Sequence, residues 1–247
     1  MVRSALILFV ELTLFIHLSA QTHTQNLVTD GAFSKEELLG QIMPASHASF
    51  SQVPQKYASK SGIYLRTEAL LAFKDLHDAA IDEGLKVSIL SGTRTFTNQK
   101  SIWEGKWEKP KYMGWDALDK ALDILTYSSM PGTSRHHWGT DIDLNSFENE
   151  YFESGEGLEV YEFLNRCAST FGFQQVYTSK ETSNSPRSGY EEEKWHWSYT
   201  PISIPMLKAY NELISTEDIQ GFQGASQADS LNIIHDYVNG IKIYDLE

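Results

Sequence analysis

The segment Thr140-Asp141-Ile142-Asp143-Leu144 is the strongest single constraint on how this chain folds. Read as a strand, it sends Asp141 and Asp143 to one face and Ile142 and Leu144 to the other. One face of its sheet must then lie on a hydrophobic core, while the opposite face turns one or both acids toward a cleft. The preceding turn, Ser134-Arg135-His136-His137-Trp138-Gly139, closes on a glycine that lets the backbone bend back toward Asp143. A second run, Trp195-His196-Trp197-Ser198-Tyr199, also has strand composition, and Glu193 lies three residues before its histidine.

Helical and strand patterns surround these two segments. From Thr67 to Glu83, the residues Leu70, Leu71, Phe73, Leu76, Ala80 and Ile81 mark one face of an amphipathic helix, with Gly84 as its stop. Lys86 to Leu90 alternates like a strand and leads into the turn Ser91-Gly92-Thr93-Arg94, after which Asn98 to Trp107 reads as helix. Asp116 is placed to cap a helix carrying Leu118, Ala121, Leu122 and Leu125. Another helix, Leu158 to Thr170, feeds a strand from Phe173 to Tyr177, and helical patterns recur at Pro205–Ile214 and Ser226–Asn239. Short strands mixed with helices, without regular alternation, predict an α+β fold. The expected form is a small, mainly antiparallel sheet flanked by helices, with the functional site at the sheet and extra helices at the C-terminus.

The 247 residues suit one main domain. Arg3, then the apolar runs Ala5–Val10 and Leu12–Ile16, then Ser19-Ala20, read as a signal peptide over 1–20. Residues 21–56 are expected as an extended lead-in, 57–200 as the main domain, and 201–247 as a C-terminal helical extension. The leader implies export, to a periplasm or to the medium, and no later run is apolar enough to span a membrane. Removing the leader takes away Arg3 and Glu11, so the formal net charge stays at −13, which excludes a phosphate backbone as partner. Cys167 is the sole cysteine, so no intrachain disulfide forms, and its spacing from Val160, Phe163 and Leu164 makes it a core residue of a helix.

The chemistry lies in the two segments first described. Zinc hydrolases need three protein ligands drawn from His and carboxylates, an open position for water, and a nearby carboxylate to take that water's proton. One segment carries His136, His137, Asp141 and Asp143, and the other carries Glu193 and His196. Trp195 and Trp197 are expected to flank such a site and limit water access.

The two segments resemble the Ser-x-His-x-x-Gly-x-Ala-x-Asp and Glu-x-Trp-His signatures of the VanY-type D-alanyl-D-alanine carboxypeptidases, in the same order, over Tyr64 to Tyr199. The resemblance implies a Zn2+ ion held by His136, Asp143 and His196, with Glu193 as general base. It also makes Ser91-Gly92-Thr93-Arg94, with Gln99 five residues on, similar to the family's Ser-Gly-Tyr-Arg segment and its following Gln. Arg94 would then bind a terminal carboxylate or the developing oxyanion, with Gln99 and Ser134 as neutral hydrogen-bonding partners. The implied activity is a D,D- or L,D-carboxypeptidase acting on peptidoglycan stem peptides. A peptidoglycan endopeptidase of the same chemistry and a non-catalytic, zinc-containing wall-binding protein are the alternatives. Two positions depart from the pattern, Thr93 for the usual Tyr and Asp141 for the usual Ala. Asp141 either supports a ligand from behind or competes with Asp143, which keeps the family's spacing from His136. His137 reads as a supporting or surface residue.

Overall fold

The structure, a computed structural model, describes residues 33–181 and 187–242, so the expected leader over 1–20 lies outside the described residues. The first elements are a helical turn α1 (Lys35–Leu38) and a strand β1 (Phe50–Gln52), which pairs antiparallel with β2 (Tyr64–Arg66). The stretch expected as an extended lead-in is therefore folded from Ser34 onward. Its turn is held by a capping box in which Ser34 Oγ accepts from the Glu37 amide and Glu37 Oε2 accepts from the Ser34 amide. Leu38 and Val53 are buried. Elements of three and four residues are too short to declare a period, and packing rather than pattern orders them.

Helix α2 (Thr67–Asp82) follows the predicted span closely. Its buried stripe is Ala69, Leu70, Phe73, Leu76 and Ala80, whereas Leu71 and Ile81 are more than half exposed, so the apolar face is narrower than the pattern suggested. Gly84, at φ +76, lets the Leu85 amide reach back to the Ala80 carbonyl and close the helix. The chain continues through β3 (Ile89–Ser91), α3 (Phe96–Trp107) and α4 (Ala117–Ile124). Thr95 caps α3, which begins two residues before the expected Asn98, and Asp116 caps α4 by accepting from the Leu118 and Asp119 amides, both at 2.9 Å.

The remaining elements are β4 (Asp141–Leu144), α5 (Gly155–Cys167), β5 (Phe173–Gln175), β6 (His196–Tyr199) and α6 (Thr200–Leu213). Four strands form an antiparallel sheet in the order β3-β4-β6-β5. The architecture is α+β, as the mixed pattern predicted. Ile142, Leu144, Trp197 and Phe173 project from one face of this sheet into a core shared with Leu70, Phe73 and Leu76 of α2 and Val160, Phe163 and Leu164 of α5. Trp197 therefore lies away from the site it was expected to flank. It follows His196 on β6, and alternate residues of a strand take opposite faces.

The C-terminal region also differs from an appended extension. Helix α6 begins directly from β6, buries Met206 and Tyr210, and ties the Tyr210 hydroxyl to the Gly132 carbonyl at 2.8 Å. The second expected helix, Ser226–Asn239, is broken into a 3-10 turn (Ala225–Gln227) and a short π-helix (Ile234–Val238), with Asn232 at a left-handed φ of +46 between them. Among the described residues, no helix is long and apolar enough to cross a membrane.

Candidate active site

Strand register sets the centre of the site. Asp143 on β4 stands opposite His196 on β6, and on its other side opposite Ser91 at the end of β3. Because directly opposed residues share a face, the sheet itself brings a carboxylate and an imidazole together. His136 arrives from the 3-10 turn Arg135–Trp138, which Gly139 closes at φ +73. A Cβ at residue 139 would come within 2.3 Å of the Phe50 ring, so both the backbone angle and the space require glycine.

The hydrogen bonds around the two imidazoles decide which nitrogens face the centre. His136 Nδ1–H donates to the Gly92 carbonyl at 2.8 Å, which leaves the Nε2 lone pair inward. His196 Nε2–H donates to Asp141 Oδ2 at 2.8 Å, which leaves Nδ1 inward. Nδ1 of His196 lies 3.3 Å from Asp143 Oδ1, and Nε2 of His136 lies 3.3 Å from Asp143 Oδ2. One donor atom from each of His136, Asp143 and His196 lies within 4.8 Å of the others, and all three residues are buried.

These three groups fit a metal ion. His136 Nε2 and Asp143 Oδ1 are buried with no hydrogen-bond partner, an arrangement that costs free energy unless something else satisfies them. A cation among the three donors would satisfy both, and two imidazoles with one carboxylate form a donor set suited to zinc.

Asp141 points to the same face as Asp143 but reaches the centre only through His196. Its Oδ2 also accepts from Arg135 Nε at 3.0 Å, and its Oδ1 accepts from the Thr140 and Ser198 hydroxyls at 2.8 and 2.7 Å. Burial by itself would raise the Asp141 carboxyl, but the Arg135 charge and the His196 hydrogen bond carry it well below the usual carboxylate range. Asp141 is thus a fixed anion that orients His196 from behind. Burial would likewise raise Asp143, and its contacts with His136 and His196 bring it down instead.

Glu193 lies beside this centre, with Oε2 3.4 Å from His196 Nδ1. Of the three consecutive glutamates it alone is buried, while Glu191 is exposed and pairs with Lys180 at 2.7 Å. Burial raises the Glu193 carboxyl above its ordinary value, with the His196 hydrogen bond opposing it. Arg94 approaches from the other side, with Nη2 3.6 Å from Asp143 Oδ2 and Nη1 donating to Gln99 Oε1 at 3.2 Å. Gln99 is itself fixed by donating to the Ser129 carbonyl at 2.8 Å. Arg94 Nε and Ser134 Oγ are buried without partners. Arg94, Asp143, Glu193 and Trp195 all line one cleft of about 920 Å³.

Of three supporting groups, the sequence left Arg135 and Lys106 unassigned, while His137, read there as a supporting or surface residue, takes the supporting role. His137, fully buried, donates from Nδ1 to the Arg94 carbonyl at 2.7 Å and accepts the Gly132 amide on Nε2 at 3.0 Å, so it ties two loops of the site together. Burial pushes its pKa down to about 3 and keeps the ring neutral. Arg135, adjacent to the candidate ligand His136, is the counter-charge of Asp141, and the pairing of an unusual Asp with a nearby Arg was the signal available in the sequence. Lys106 lines the cleft and donates to Ser128 Oγ.

The family model for D-alanyl-D-alanine carboxypeptidase, VanY, matches residues 62–202, which include every residue of this site. The chain belongs to the VanY family. A D-alanyl-D-alanine carboxypeptidase of Enterococcus faecalis (strain ATCC 700802 / V583) is 30% identical over 145 residues, covering 59% of this chain and 51% of the relative. The putative carboxypeptidase YodJ of Bacillus subtilis (strain 168) is 28% identical over 178 residues, covering 71% of this chain and 59% of that protein. The match thus spans between about half and three fifths of these relatives' lengths. The solved LdcB LD-carboxypeptidase shares the fold at a TM-score of 0.50 and 21% identity, over 68% of this chain and 75% of that one. Within the VanY pattern, Thr93 turns its hydroxyl to the Tyr64 carbonyl at 2.6 Å, so it is held against β2. Asp141, the other departure, brings with it the buried Arg135 and Ser198 that surround it.

Proposed function

We propose that this protein is a zinc-dependent carboxypeptidase that hydrolyses the C-terminal peptide bond of peptidoglycan stem peptides. The observation that carries the proposal is the convergence of three buried donors, His136, Asp143 and His196, with Glu193 on one side and Arg94 on the other, in a single cleft. His136, Asp143 and His196 would hold the zinc ion, which when bound would supply Lewis-acid polarisation of a carbonyl and a water that is a competent nucleophile near neutral pH. Glu193, as carboxylate, accepts a proton from the attacking water and returns it to the departing amine. Its burial suits both steps, because a raised pKa makes it a stronger base and keeps the proton available for transfer. Arg94 offers a permanently charged fork to the free carboxylate of the leaving residue, and Gln99 fixes the plane of that fork. The unpartnered Ser134 hydroxyl is available as a further donor.

A free carboxylate bound so near the metal donors favours removal of one terminal residue over internal cleavage. The apolar leader adds the proposal that the chain acts outside the cytoplasm, where such peptides lie. The test is incubation of the zinc-loaded protein with stem peptides of four and five residues, with products identified by mass. Loss of a single C-terminal residue is the expected outcome. Internal cleavage would replace the proposal with the endopeptidase alternative, and no cleavage with zinc bound would favour a binding protein.

A further inference from the structure

One cation in the cleft has no role in the mechanism above. Lys106 sits in the last turn of α3, half-buried, and donates to the buried hydroxyl of Ser128. No carboxylate pairs with it among the described residues, although the chain as a whole carries 33 acidic side chains. An ammonium has three donors, and one hydrogen bond to a hydroxyl leaves the charge without a counter-ion. Burial and the Lys109 charge lower its pKa, Glu193 acts against them, and Arg94 adds to the lowering. The cation therefore stands within electrostatic reach of both the base and the carboxylate-binding arginine.

Its position relative to Arg94 follows from two consecutive residues. Arg94 is braced by Gln99, which donates to the carbonyl of Ser129, and Lys106 is braced by Ser128. Both cations are thus braced by the same loop and the same helix, and both line the cleft that holds Asp143 and Glu193. When a peptide places its terminal carboxylate at Arg94 and its scissile carbonyl at His136, Asp143 and His196, the leaving residue lies along this wall. A methyl side chain would leave the Lys106 charge uncompensated there. A side-chain carboxylate would meet it.

We infer that Lys106 is a specificity-determining residue that selects substrates whose C-terminal amino acid carries a second, side-chain carboxylate. This rests on the carboxypeptidase reading of the same cleft. The test uses the zinc-loaded full chain and peptides identical except for a terminal D-glutamate, D-glutamine or D-alanine. A charge-assisted hydrogen bond should favour D-glutamate over D-glutamine by about tenfold or more in kcat/KM, expressed mainly in KM. Lys106→Met should bring that ratio to about one, and Lys106→Arg should keep most of it. A ratio of one in the unaltered protein, or an undiminished ratio in Lys106→Met, overturns the assignment; if Lys106→Met does not fold, the ratio in the unaltered protein decides. Calorimetry with the free amino acids separates this inference from the function on which it rests. If no peptide is cut, the carboxypeptidase proposal fails, while tighter binding of D-glutamate than D-glutamine, lost in Lys106→Met, still supports Lys106. Equal binding of the two in that case overturns it.

Discussion

Asp143 and His196 face each other across adjacent antiparallel strands, with Asp143 Oδ1 3.3 Å from His196 Nδ1. Two of the three candidate ligands are therefore held by backbone register rather than by loops. The next pair on the same face, Asp141 opposite Ser198, repeats the arrangement two residues away and supports the first. A one-residue slip of β6 would send His196 into the core and Trp197 into the site, so core packing and site geometry enforce the same register.

That coupling makes Asp141 a sensitive position. Asp141→Asn would leave Arg135 as a buried charge without its anion and would weaken the hydrogen bond that orients His196. Removing one partner of a buried pair costs about 3–5 kcal/mol of stability, and loss of a ligand's supporting carboxylate costs roughly 10–100-fold in metal affinity. Urea unfolding and a competitive zinc titration measure the two effects. Unchanged values in both would remove Asp141 from its supporting role.

His136→Ala and Glu193→Gln should separate metal binding from proton transfer. The first removes a donor atom and should abolish stoichiometric zinc, read by elemental analysis. The second keeps all three donors and should retain zinc while activity falls by about two to four orders of magnitude, the range for a general acid–base group. Near-normal hydrolysis by zinc-loaded Glu193→Gln would eliminate the base assignment.

The pH dependence follows from the same residue. As the proposed base, Glu193 would act only when ionised, and burial raises its pKa above the ordinary 4.5. Its carboxylate is thus protonated at a higher pH than an exposed glutamate. The acid limb of kcat/KM should fall as pH drops through a value above 4.5. A profile that stays flat to below that value would contradict the assignment.

How much of this was readable beforehand depends on the length of each element. The 16 residues of α2 show their period, and Asp116 announces α4 through its capping chemistry. The alternation of β4 placed Asp141 and Asp143 on the polar face. The same rule applied to β6 puts Trp197 on the core side, and the expectation that it flanks the site had passed over that alternation. Residues 34–56 and 201–242 were harder, because their order comes from distant partners. Glu37 meets Arg66 at 2.9 Å, the Trp138 indole donates to the Leu38 carbonyl, and Tyr210 reaches Gly132. No local pattern encodes contacts between residues so far apart in sequence. Lys106 escaped notice for a related reason: a lysine on a helix reads as solvated until the loop it bonds to is in place.

Gly139 tests the geometry of the histidine turn. Gly139→Ala would need a left-handed backbone and would drive a methyl group into the Phe50 ring. Strain and overpacking together should cost about 1–3 kcal/mol and displace His136 relative to Asp143. Zinc affinity should fall along with thermal stability. A variant with lowered stability but normal zinc affinity would show that β1 and β2 absorb the clash without moving the ligand.

Arg94 tests the proposed reading of a free C-terminus. Its fork is braced by Gln99, its Nε is unpartnered, and its carbonyl is held by His137, so the guanidinium is positioned before any substrate arrives. On the proposed function, such preorganisation would place its contribution on the terminal carboxylate. The unaltered protein should cleave a peptide acid faster than the corresponding C-terminal amide by about 10–100-fold in kcat/KM, the value of hydrogen bonds to a charged group. Arg94→Ala should slow the acid and leave the amide much less affected, so the two rates converge. Arg94→Lys should recover only part of the difference, because a point charge cannot pair bidentately with a carboxylate. Equal rates on acid and amide in the unaltered protein would mean that Arg94 acts on the developing oxyanion instead, and Arg94→Ala would then slow both peptides alike.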